Sequence, residues 1–321
     1  MSEPVRARAA VVAAVDGSEH SLKALEWARQ AALRHRTGLL VAHVLPDHAQ
    51  LYAGRRAALA DPGGPEAFTD PVIDRIRALL EAGPGPLPDE VRYESLEGSV
   101  PEALRAVSAG ATMLVMGSRG RGGFASLLLG SSSRAVATTA PCPVVVVPHA
   151  GRSAPEGAPG ASAGRVVLGL HAAETPDDVL AFAFAEASAR GTTVQVVSAY
   201  AVPPAPLALV DAPFAVIPPE GPADDADAVP AEREMLRAQT ARLAPYRERH
   251  PEVPVEQAAV PGDPAGRLVD ASESAALVVV GRHHPRRAGR ALFIGSVAHA
   301  VLHHAHGPVA VVPALHDNGD D

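Results

Sequence analysis

The chain carries one plan twice. Val11–Ala28, VVAAVDGSEHSLKALEWA, has a counterpart in Val166–Ala187, VVLGLHAAETPDDVLAFAFAEA. Leu39–Pro46 answers Val194–Pro203, Gly98–Gly120 answers Gly262–His284, and Ala140–Pro148 answers Ala305–Pro313, in the same order. With 321 residues, each copy is long enough for its own core. Two domains are expected, residues 1–150 and 165–321. The linker between them, 151–164, is rich in Gly, Pro, Ala and Ser.

Within a copy, short Val/Ala/Leu runs alternate with helical patterns. In the first, strands are expected near 9–15, 39–45, 91–96, 112–117 and 143–147, and helices near 19–36, 70–82, 100–109 and 131–139. Apolar runs without polar alternation mean strands buried on both faces, as in a parallel sheet. Right-handed crossovers then give an α/β, doubly wound open sheet with helices on each face. Aromatic residues are 3% of the chain against 47% hydrophobic, so Ala, Val and Leu must build the core. The proline- and acid-rich stretch Ala201–Pro230 reads as structureless.

A formal charge of −8 argues against a general nucleic-acid binder. The single cysteine, Cys142, excludes an internal disulfide and reads as buried structure. Apolar runs are strand-sized, too short to cross a membrane. The first ten residues lack the apolar core of a signal peptide. A soluble cytoplasmic protein is the expectation.

The chemistry concentrates in Leu114–Ser133, LVMGSRGRGGFASLLLGSSS. An apolar strand runs into a cationic loop punctuated by glycines, and three serines open a helix. Glycine permits close backbone approach, and a helix N-terminus offers unpaired amides with partial positive charge, so this is a place for phosphate. From Ala103 to Pro155 there is no Asp or Glu, while Arg119, Arg121 and Arg134 are present. GxxxxGK[ST] fails for want of a lysine. GxGxxA matches at Gly120, Gly122 and Ala125 but lacks the ribose-binding acid about 20 residues on.

The spacing that fits is Gly117-x2-Gly120-x9-Gly130-Ser131, with VDGS at Val15–Ser18 and PCPVVVVP at Pro141–Pro148. In this combination and order the chain resembles the ATP-binding branch of the universal stress protein family. The resemblance implies strand order 3-2-1-4-5, which brings strands 1 and 4 together at a ligand crevice. It implies that Asp16 contacts the nucleoside, that the backbone of Val44 meets adenine, and that Gly117, Gly120, Gly130 and Ser131 hold the phosphates of ATP. A divalent ion such as Mg or Mn would assist, since nothing in the loop fully neutralises a triphosphate. It also implies pairing through strand 5, here between the two copies, with a homodimer and an unidentified protein partner as further associations. Taken alone, Asp16 is as well read as a turn or cap aspartate, Ser131 as a cap, and Val44 as core.

The second copy departs at each key place. His171, Ala172 and Ala173 replace Asp16, Gly17 and Ser18, and His284 replaces the second glycine. Arg282, Arg286, Arg287 and Arg290 are candidates to hold an anion by charge instead. A structural, dimer-like partner is the favoured role for this copy. His299 and His303 share a helical face, with His306 following, but no acid or cysteine ligand stands beside them, so a dipole-favoured helix end is the simpler reading. Arg29 reads as an ordinary surface arginine. No Ser–His–acid set or carboxylate pair signals catalysis. The expected function is a nucleotide-dependent sensor or regulator in the stress response, not an enzyme beyond slow ATP hydrolysis. The alternatives are an AMP or cyclic-AMP binder of the same fold and a ligand-free interaction protein.

Overall fold

The computed structural model describes residues 10–45, 70–120, 129–148, 164–200, 225–282 and 294–314. The linker up to residue 163, residues 121–128 of the glycine loop (with Arg121) and 283–293 (with His284, Arg286, Arg287 and Arg290) lie outside them.

The first half runs β1 (Ala10–Val15), α1 (Glu19–His35), β2 (Gly38–Val44), α2 (Pro71–Ala82), β3 (Val91–Leu96), α3 (Val100–Val107), β4 (Met113–Gly117), α4 (Ser131–Thr139) and β5 (Val144–Val147). The second runs β6 (Arg165–Gly169), α5 (Asp177–Arg190), β7 (Val194–Tyr200), α6 (Asp225–Arg249), β8 (Val255–Pro261), α7 (Pro264–Ala271), β9 (Ala275–Gly281), α8 (Ser296–His304) and β10 (Val309–Val312). Local chemistry sets the boundaries. Asp70 caps α2 ahead of Pro71, Asp263 caps α7 ahead of Pro264, and Gly191 ends α5 in the left-handed conformation. The stretch read as structureless is corrected in part, because α6 begins at Asp225. Pro230 falls inside it at the cost of one backbone hydrogen bond.

The strand order is β3-β2-β1-β4-β5-β10-β9-β6-β7-β8. Each half has the order 3-2-1-4-5, and the halves form one continuous sheet. All pairings within a half are parallel. The join is antiparallel, with Val309 opposite Val146, Ala310 opposite Val145 and Val311 opposite Val144. Because that join reverses direction, the carboxyl ends of the strands face opposite edges of the sheet in the two halves.

Two cores lie on the two faces, and each crosses the join. Val145, Val147, Ala310 and Val312 belong to one, with residues of α1, α2, α5 and α6. Val144, Val146, Val309 and Val311 belong to the other, with residues of α3, α4, α7 and α8. The alternation of side chains along a strand makes this division. Short β-branched residues dominate both cores, as the scarcity of aromatics requires.

Candidate functional site

In the first half the crevice opens where β1 and β4 end side by side. The chain leaves β1 through Asp16 and Gly17. Asp16 Oδ1 accepts from the Ser18 amide at 3.0 Å and from its hydroxyl at 2.6 Å. Ser18 in turn caps α1, its Oγ accepting from the amide of Ser21. Gly17 takes φ +78°, a conformation that a side chain disfavours. Asp16 therefore does build a turn. The same turn presents its other oxygen to the glycine loop: a methyl placed on Gly120 would come within 2.8 Å of Oδ2.

The three loop glycines have a different reason from a left-handed backbone, since none has positive φ. They answer to close approach. A methyl on Gly117 would sit 3.0 Å from the carbonyl of His20 in α1, and one on Gly130 would sit 3.4 Å from the carbonyl of Ser118. Gly117 lets β4 and α1 close on each other, and Gly120 lets Asp16 keep its place.

The base of the loop is pinched shut. The Gly130 amide donates to Ser118 O at 2.8 Å, and the hydroxyl of buried Ser133 donates to Gly117 O at 2.9 Å. Gly130 is the N-cap of α4 and brings no capping side chain. The first intrahelical bond comes from Arg134, so the amides of Ser131, Ser132 and Ser133 have no acceptor within the helix. Ser131 is exposed there, and Arg119 is half-buried between Ser118 and Gly120.

Val44 lies two strands away, in the β2–β1–β4 row. The amides of Leu39 and Leu45 donate to Glu90 and Leu96 on the β3 side. By alternation the main chain of Val44 faces β1, whose last partner on β2 is His43. The Val44 carbonyl is thus directed past the end of that pairing, at the rim of the crevice. Its side chain packs against the core, as the plainer sequence reading expected, and leaves the main chain at the rim.

One neighbouring cluster has no sequence signal. Buried Asp70 accepts from Ser95 Oγ at 2.7 Å and lies 2.7 Å from His43 Nδ1, while its other oxygen caps α2. Burial alone would raise the carboxyl, but the His43 and Ser95 hydrogen bonds hold it below the usual aspartate range. Serine and histidine both address the carboxylate, so this is not a serine–histidine–acid relay. It ties β2, β3 and α2 together beside the crevice.

The described residues of the second half do not repeat this construction. His171 is exposed, 3.9 Å from Glu174, and the turn after β6 runs on to Asp177 before α5 begins. Arg282 needs correction: its guanidinium is directed into the first half, where it bonds Ala140 O, and is not available to an anion of its own copy. The rings of His299 and His303 lie 4.5 Å apart and tilted by 53°, and the His306 amide donates to Ser272 Oγ. Among the described residues no group of three or more His, Cys, Asp or Glu is placed to hold a metal, and no helix is long and apolar enough to cross a membrane.

A profile of the universal stress protein family matches residues 8–148 and again 163–313. The chain belongs to that family. Universal stress protein Rv2005c of Mycobacterium tuberculosis is 33% identical over 317 residues, covering 97% of this chain and 99% of the relative. Universal stress protein Rv1996 of the same organism is 30% identical, covering 94% of each. Among solved structures, a universal stress protein from Archaeoglobus fulgidus superposes with TM-score 0.55 at 18% identity, over 95% of this chain and 98% of that one. A functionally unknown protein, PA1789 of Pseudomonas aeruginosa, superposes with TM-score 0.59 at 14% identity, over 96% and 94%. These structures share the fold. In this universal stress protein the turn of Asp16 against Gly120 stands in the first half, and His171 takes the place of Asp16 in the second.

Proposed function

We propose that the first half binds an adenine nucleotide, ATP foremost, and that the protein acts as a nucleotide-dependent regulator. The observation that carries this reading is the placement of Asp16 against Gly120, with the acceptor-free first turn of α4 at the other end of the same loop. An aspartate turned toward a glycine suits a ribose hydroxyl, and three helix amides on a segment of chain without acids suit phosphate. The Val44 carbonyl at the rim suits the exocyclic amine of adenine. Asp16 and the loop hydroxyls are oxygen donors, the kind Mg or Mn accepts alongside phosphate. Nucleotide held there would change the surface offered to a partner protein.

Calorimetric titration of the full chain with ATP, AMP and cyclic AMP, with and without Mg, tests this. One site per chain with ATP preferred is expected. No binding of any of the three sinks the proposal, and two equivalent sites sink the asymmetry between the halves.

A further inference from the structure

Because the join of β5 and β10 is antiparallel, the carboxyl end of β9 lies beside the segment that leads into β5. Arg282 follows β9 directly. Its Nη1 donates at 2.9 Å to the carbonyl of Ala140, across 142 residues of sequence. Ala140 is the C-cap of α4, the helix whose first turn lines the candidate site. The arginine is 7% exposed, and its Nε has no hydrogen-bond partner among the described residues. The titratable group felt beside it is the Cys142 thiol, which burial keeps protonated. No acid of the first half offers it a counter-charge between Ala103 and Pro155.

We propose that Arg282 is a positioning residue for the nucleotide site of the opposite half. It clamps the far end of α4 and places a buried positive charge at that end. The inference rests on the nucleotide reading above.

A plain structural role explains this arrangement poorly. Among the described residues no carboxylate pairs with it; a buried cation so placed costs stability, and a helix end can be satisfied by water or a neutral donor. As an electrostatic element it makes sense. A cation favours the negative end of a helix. The nine residues of α4, at about 1.5 Å each, put the charge about 14 Å from the first-turn amides. The helix is partly exposed at Ser131 and Arg134, so the attraction to the several negative charges of a polyphosphate is partly screened and its effect is modest and largest at low salt. The arrangement runs one way. Ser118 holds the corresponding position after β4, and its side chain is too short to do the same for Ala305, the C-cap of α8. The copy with the altered loop supports the copy with the intact one.

The test uses full-length R282M and R282K, with ATP calorimetry at low salt, thermal unfolding, and hydrogen exchange of the α4 amides. Methionine keeps the bulk and removes the charge. R282M is expected to melt no lower than the parent, to exchange α4 faster with α8 unchanged, and to bind ATP about three- to tenfold more weakly. R282K should keep most of the affinity. R282M that binds like the parent overturns the inference, as does R282M that fails to fold, because the charge would then be a structural necessity. R282K as weak as R282M overturns the electrostatic account. A parent chain that binds no nucleotide overturns the nucleotide reading and this coupling together, an outcome distinct because the parent itself fails.

Discussion

Glu186 and His35 meet across the seam between the two halves, the carboxylate Oε1 of α5 lying 2.6 Å from the ring Nε2 at the end of α1. Glu186 is fully buried and also accepts from Arg190 Nε at 3.0 Å. Trp27 of α1 lies close to two guanidinium groups, Arg190 at 5.2 Å and Arg34 at 5.8 Å from its ring centre. Burial, and then the charge of Arg190, pull Arg34 down to about 10. One carboxylate thus serves a cationic seam on one face of the sheet.

Glu186→Gln should therefore destabilise the protein by about 3 kcal/mol, because it leaves buried guanidinium groups without their counter-charge. Burial alone would raise the Glu186 carboxyl; the His35 hydrogen bond and the charge of Arg190 more than offset this and hold it below the ordinary value of 4.5. A folded-state value below the unfolded one means the stabilisation is complete above 4.5 and is lost as the pH falls through the lower, folded value. Urea unfolding followed by the fluorescence of Trp27, the single tryptophan, should show the gap between parent and variant closing from about pH 5 downward. A gap that does not change with pH would refute the assignment.

At the crevice, Asp16→Ala and Gly120→Ala should each weaken ATP binding at least about tenfold, or 1.4 kcal/mol. The structure supplies the reason for the second: the new methyl would displace the Asp16 carboxylate. His284→Ala, in the second copy, should leave the affinity unchanged. Equal losses for His284→Ala and Gly120→Ala in the same titration would relocate the site.

The join of the halves should depend on its valines. Val145 is fully buried opposite Ala310, and Val311 is 1% exposed opposite Val144. Lysine at both places buries two unpaired charges in opposite cores. Light scattering and calorimetry should show aggregation or two separate melting events, while exposed Lys23→Ala leaves one event. A double-lysine chain as compact and stable as the parent would mean the halves are held elsewhere.

Cys142 should be inert in the folded protein. Burial pushes its thiol up to about 11, and the residue is 3% exposed. At pH 8 the thiolate fraction is then about one in a thousand. An aromatic disulfide reagent should label it only at the rate of unfolding, and completely in denaturant. Rapid labelling of the native chain would contradict its position.

The helices, strands and parallel sheet of the first half were legible along the chain, with boundaries within about two residues, because they follow from local signals. Asp-Pro and Ser starts, Gly ends and unbroken valine runs act over a few residues. The glycine spacing of the site was legible for the same reason, since Gly117, Gly120 and Gly130 belong to one strand–loop–helix unit. The reason for each glycine was not, because His20 and Asp16 approach from another element.

Polar partners separated by long stretches of chain were decided by the packing. Arg29 reads as a surface residue, yet it is 9% exposed and held by Glu26 and the carbonyl of Pro86. His43 and Asp70 are 27 residues apart, Glu186 and His35 are 151 apart, and Arg282 and Ala140 are 142 apart. Periodicity records which face of an element is buried and is silent on which charged group meets it there. The antiparallel turn of the join aims Arg282 at the first half, a direction set by how two sheet edges meet in space and carried by no local run of residues.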